Sequence, residues 1–195
     1  MCMKIREISG LSPQEIHLKY CENPNQNLKG CVTVTELLDK IGISYKSANL
    51  CKLEQKLHLK NDSIIGLAYS QGDNLKILYS DTLNEYEINY VLAHELGHCC
   101  MHLPVTTKFH VEMKTKQDYY FLENKNIFSL IKCSSKKIKK EISADNFAAE
   151  LLIPTDSLNA FLNSTSNISK KQISDFFKVP IPLVEKKILL CEVHK

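Results

Sequence analysis

Val34, Leu37, Leu38 and Ile41 are spaced so that they fall on one face of a helix, and the run stops at Gly42, a residue suited to the left-handed turn that closes helices. Upstream, Ser12-Pro13-Gln14-Glu15 offers an N-cap serine, a proline at the first helical position and a glutamate at the third, so a short helix is predicted to about residue 21. Apolar and aromatic runs at 64–69 and 75–79 are separated by the polar Ser70-Gln71-Gly72-Asp73-Asn74, which predicts a β-hairpin, with 43–45 as a candidate edge strand. A long helix is predicted next, from a capping box read at Thr82-Leu83-Asn84-Glu85 to residue 103, because Pro104 cannot continue it. A further helical run, 140–154, places Ala144, Ala148, Leu151 and Leu152 on its buried stripe and ends at Pro154. The stretch 170–190 reads as two short helices around Val179-Pro180-Ile181-Pro182. The fold class expected is α+β, a small β-sheet packed with helices, organised as a main domain over 1–154 and a short helical appendage over 155–195.

Composition adds bounds to this picture. With 195 residues, 44% apolar and 24% charged, the chain can bury one good core, and no segment approaches the roughly 18 apolar residues that span a bilayer. No membrane association is expected. The start, Met1-Cys2-Met3-Lys4-Ile5-Arg6-Glu7, has no apolar stretch behind its charges, so no secretory signal is read and the expected compartment is the cytoplasm. The eight cysteines are therefore expected to be thiols; none forms a C-x-x-C pair, and Cys191 with His194 is read as an accidental C-x-x-H. A net charge of +3 neither demands nor excludes an acidic partner.

The chemistry sits on the long helix. His94-Glu95-Leu96-Gly97-His98 places two imidazoles four residues apart on one helix face, where both can converge on one tetrahedral metal ion. Glu95 projects beside the same face, too near the histidines in sequence to be the usual third ligand but well placed to take a proton from a metal-bound water. Gly97 removes a side chain next to the site, which would let the sheet or a substrate approach. A third ligand must come from elsewhere. His102 lies about 12 Å from His94 along a straight helix, too far to share one ion, and is expected to be packed or solvated. In the run 140–154, Glu141 and Asp145 stand on the apolar stripe, and buried carboxylates need a cation or donors. Glu141 is accordingly read as the third ligand and Asp145 as the acceptor for the outer N–H of a ligand histidine. Glu150, about 180° round the helix from Glu141, is expected to face solvent.

Together, Tyr90-Val91-Leu92-Ala93-His94-Glu95-Leu96-Gly97-His98 and Glu141-x-x-Ala144-Asp145-x-Phe147-Ala148-x-x-Leu151-Leu152-x-Pro154 resemble the ImmA/IrrE metallopeptidases, whose active site is gluzincin-like. The resemblance implies a zincin-like active-site helix, Zn2+ held by His94, His98 and Glu141, and Glu95 as general base. It implies a protein substrate, a helix-turn-helix repressor cleaved to relieve transcriptional repression. The chain departs from the family pattern at Val91, where a hydroxyl residue is often found, and in a longer connection from His98 to Glu141. The insert 104–135 is read as a solvated loop leading into a helix start at Lys136-Lys137-Ile138-Lys139-Lys140, with a lid or docking segment as the alternative. Tyr79, His110, Tyr119 and Tyr120 are candidates for assisting an oxyanion.

Two other function classes compete. A sensor or repressor-binding module that does not cut would need the metal ligands but no base, and Glu95 discriminates against it. Direct nucleic-acid binding by 170–190 is not expected, because the segment has no arginine and its lysines are spread over several faces.

Overall fold

The computed structural model describes residues 7–21, 33–56, 64–71, 74–102, 109–115, 135–164 and 167–193. The chain is of the α+β class. Helix α1 (Pro13–Tyr20) begins at the expected capping box, with Ser12 accepting from the Glu15 N–H and the Glu15 carboxylate answering the Ser12 backbone. Helix α2 (Val34–Ile41) buries Val34, Leu37, Leu38 and Ile41 and closes at Gly42, whose φ of 82° a side chain would resist. Strand β1 (Ser44–Ala48), helix α3 (Cys51–Lys56) and the hairpin of β2 (Ile64–Gln71) and β3 (Asn74–Ser80) follow. The hairpin strands run further into the polar connection than expected, pairing Gln71 with Asn74.

Four described strands form one sheet in the order β1-β3-β2-β4. The candidate edge strand is β1, which pairs parallel to β3 from Ser44↔Lys76 to Ala48↔Ser80. The opposite edge is β4 (Phe109–Thr115), antiparallel to β2. The reading of 104–135 as a solvated loop therefore fails for 109–115. The alternating Phe109, Val111 and Met113 of this strand are a period-two signal, which the sequence reading passed over. The rest of that insert lies outside the described residues, apart from the expected helix start at its end.

Helix α4 (Glu85–Met101) starts two residues later than the Thr82 box implies. Asn84 is the N-cap, accepting from the Tyr86 and Glu87 N–H groups, while Glu87 closes the box. Thr82 pairs its hydroxyl with Ser80 instead, at 2.9 Å. The helix ends at Met101, with His102 as its C-cap, rather than at 103. Twelve of its residues, Asn89 to Cys100, are buried without interruption, because the sheet covers one side and α5 (Ser135–Leu152) the other.

Helices α6 (Thr155–Ser164), α7 (Lys170–Phe177) and α8 (Ile181–Val193) complete the described chain. The apolar core is continuous from Ile8 through α4 and α5 to Leu158, Ile173, Phe177, Leu183 and Val184. Against expectation, Glu150 does not face open solvent. It does lie away from Glu141 on α5, but α8 covers that side: the Lys187 ammonium, itself 2% exposed, donates to Glu150 and, at 2.8 Å, to Thr155 Oγ1. Gln14 of α1 donates to the same carboxylate at 3.2 Å. No helix among the described residues is long and apolar enough to cross a membrane.

Candidate metal centre

Helices α4 and α5 pack side by side and bring together the residues singled out on each. His94, Glu95 and His98 are 0%, 1% and 1% exposed, so none is a surface residue held by chance on an amphipathic face. The two Nε2 atoms of His94 and His98 stand 2.9 Å apart. Glu141 Oε2, from α5, lies 3.2 Å from His94 Nε2 and 3.5 Å from His98 Nε2. A tetrahedral ion about 2.0–2.1 Å from each ligand would separate them by about 3.3 Å, close to all three distances. One ligand atom from each residue lies within 4.8 Å of the others, so the cluster can hold a metal ion.

The chemistry of the donor set fits a cation as well as the geometry does. Both Glu141 oxygens are buried without a hydrogen bond of good geometry, an arrangement that costs stability unless a positive charge enters.

Asp145 Oδ1 lies 2.7 Å from His94 Nδ1. It is held by two further groups that the reading missed. The Tyr90 hydroxyl donates to Oδ1 at 2.5 Å, and the Lys186 ammonium of α8 lies 3.2 Å from Oδ2. Tyr90 was findable, since it precedes His94 by one helical turn on the same face. Nothing local to Lys186 could have announced it. A carboxylate oxygen accepting at His94 Nδ1 favours the ring tautomer with its hydrogen on Nδ1 and its Nε2 lone pair toward the cluster.

Two glycines set the approach of the neighbouring elements. A β-carbon on Gly97 would meet the Phe147 ring and Cβ at 3.2 Å, so the absent side chain admits α5, not the sheet or a substrate as the sequence suggested. The sheet's approach is set by Gly66 of β2, where a β-carbon would stand 2.5 Å from Val91 Cγ1 and 3.1 Å from Glu95 Oε1.

His102 is neither simply packed nor solvated: its Nδ1 lies 2.8 Å from His98 Nδ1, and its Nε2 lies 3.0 Å from Ser143 Oγ. Of the oxyanion candidates, Tyr79 is half-buried on β3 against the core. The side chain of His110, on β4, and residues Tyr119 and Tyr120 lie outside the description, as does His194. The described cysteines Cys21, Cys51, Cys99, Cys100 and Cys191 are free thiols.

Comparison with known proteins bears on the same region. The family profile described as the IrrE N-terminal-like domain, a peptidase family, matches residues 55–189, which takes in both helices of the cluster. Metallopeptidase ImmA of Bacillus subtilis (strain 168) is 30% identical over 143 residues, covering 71% of this chain and 72% of that protein. The uncharacterized immunity region protein 2 of Bacillus phage phi105 is 25% identical over 126 residues, 62% of this chain and 68% of its own. No solved structure matches significantly.

Proposed function

The chain belongs to the IrrE N-terminal-like peptidase family and is a metallopeptidase, and from that premise we propose that it is a zinc-dependent endopeptidase of the cytoplasm that cleaves a helix-turn-helix transcriptional repressor. The observation that carries the reading is the convergence of His94 Nε2, His98 Nε2 and Glu141 Oε2 inside a buried cluster, with Glu95 next to it on the same helix. His94, His98 and Glu141 would hold the ion, and two nitrogens with one carboxylate oxygen suit zinc.

When bound, the ion would supply Lewis-acid polarisation of a peptide carbonyl and lower the pKa of water at the site. Glu95 takes the proton of the attacking water and returns it to the leaving amine nitrogen, so one carboxylate serves as base and then acid. Its burial under β2 keeps bulk water from competing for that proton. Asp145 keeps the His94 ring oriented with Nε2 inward, and Tyr90 and Lys186 hold Asp145 in place. The segment 155–195 acts as a subdomain, and Lys186 on its helix α8 braces the site through Asp145.

The repressor substrate draws support from the family resemblance of the two motifs and from the phage relative's name as an immunity region protein. It is tested by incubating the purified chain and a Glu95→Gln variant with a helix-turn-helix repressor encoded beside it. Cleavage by the parent is expected, with the variant slower by about 10²-fold or more. Binding of the repressor by both without cleavage would replace the peptidase reading with a non-cleaving, metal-dependent sensor, for which Glu95 has no use.

A further inference from the structure

The two histidines of the cluster are oriented by unlike partners. Behind His94 stands a carboxylate, Asp145, at 2.7 Å; behind His98 stands another imidazole, His102, at 2.8 Å. An imidazole can donate or accept, so this contact does not by itself say which nitrogen of His98 bears the proton.

The answer lies one step further out, on α5. The Ser143 hydroxyl donates to the Lys140 carbonyl at 2.8 Å. A hydroxyl has one proton, so toward His102 Nε2, 3.0 Å away, Ser143 Oγ can only accept. His102 Nε2 therefore carries a hydrogen, and in the neutral ring its Nδ1 is bare. Facing a bare nitrogen at 2.8 Å, His98 Nδ1 must carry the hydrogen in its turn. His98 Nε2 is then bare and aimed at His94 Nε2 and Glu141, as a ligand nitrogen must be.

We propose that His102 and Ser143 form a positioning relay, anchored on the Lys140 carbonyl, that fixes His98 in its Nδ1–H tautomer and so presets Nε2 for metal. The relay ties the C-terminal end of α4 to α5 half a turn beyond Glu141, so docking of the two helices sets the third ligand and the second ligand's tautomer at once. His102 touches neither metal nor substrate in this role; it acts through His98. Its effect on metal affinity rests on the metal-centre reading given above, whereas its effect on the tautomer does not.

Long-range proton–nitrogen spectra of the metal-free protein, with ring nitrogens labelled, show directly which nitrogen of each histidine is protonated. The expected pattern is Nδ1–H for His98 and Nε2–H for His102. Replacing His102 with Phe, which keeps the bulk and removes the acceptor, is expected to lose the Nδ1–H preference of His98 and to weaken zinc binding about 10- to 100-fold in competition with a chromogenic chelator. His102→Gln, whose amide oxygen can accept, is expected to restore most of both. Ser143→Ala, a milder change, is expected to let the His102 tautomer drift and to weaken zinc by a smaller factor. An Nε2–H tautomer of His98 in the parent would overturn the relay. So would His102→Phe and Ser143→Ala variants that fold and hold zinc as tightly as the parent. A parent with the expected tautomers that takes up no zinc would uphold the relay and overturn the metal centre instead.

Discussion

Gly66 of β2 lies so close to Val91 of α4 that a β-carbon on the glycine would stand 2.5 Å from Val91 Cγ1, nearer than real contacts allow. The same β-carbon would stand 3.1 Å from Glu95 Oε1, so this contact sets how tightly the sheet presses on the helix that carries the site. Valine is β-branched and stiff in a helix, which leaves Cγ1 little room to swing away. Gly66→Ala is expected to cost about 1–3 kcal/mol through overpacking, measured by urea unfolding, and to lower peptidase activity by displacing Glu95. Adding Val91→Ala should recover part of the loss, giving a coupling of at least about 0.5 kcal/mol in a double-mutant cycle; additive effects would show that another contact limits the approach.

A second expectation concerns Lys187, which is 2% exposed and holds Glu150 and Thr155 together between α5, α6 and α8. Lys187→Met keeps much of the apolar stem but leaves the half-buried Glu150 carboxylate short of a cation. The variant is expected to lose about 1–3 kcal/mol of stability, below the range for fully buried pairs because Glu150 is partly solvated. Pairing it with Glu150→Gln should return some of that loss. Unchanged urea midpoints for Lys187→Met would mean the pair contributes nothing.

The thiols on α4 predict an alkaline weakness. Burial pushes Cys100 up to about 12, and burial likewise raises Cys99 well above the ordinary thiol range. A group whose folded pKa is raised contributes stability that is intact below the unfolded value, about 8.5, and is lost as pH climbs toward the folded one. Each thiol therefore steepens the fall in stability by up to about 1.4 kcal/mol per pH unit above that point. Urea unfolding at pH 8 to 11 should show a shallower decline for Cys100→Ala than for the parent. At neutral pH both thiols are protonated and buried, so neither is expected to react with iodoacetamide in the folded protein.

What the sequence disclosed depended on how local the signal was. Helix α2 could be placed to the residue because its apolar spacing and Gly42 belong to one short stretch, and the start of α1 because Ser12, Pro13 and Glu15 are adjacent. Thr82 misled because Asn84, two residues on, also caps a helix and has Glu87 at the right distance to complete the box. The pairing of Glu141 and Asp145 with His94 and His98 was legible despite the separation in sequence, since acidic residues on an apolar stripe require a partner. Glu150 is the instructive failure: its angle on α5 was right, but the side it faces is decided by where α8 packs, and no periodicity within α5 contains that. Lys186 and Ser143 escaped for the same reason, each acting on a residue of another helix. Strand β4 was hidden inside a long connection, where its short alternation was outweighed by polar flanks.

The most direct measurement is the metal content of the purified chain, by elemental analysis after dialysis, beside Glu141→Ala and Glu95→Gln variants. If His94, His98 and Glu141 hold a catalytic ion while Glu95 serves only to move protons, the parent and Glu95→Gln each retain about one zinc per chain and Glu141→Ala loses most of it. A parent without metal, or a Glu141→Ala variant that binds zinc as the parent does, would contradict the account.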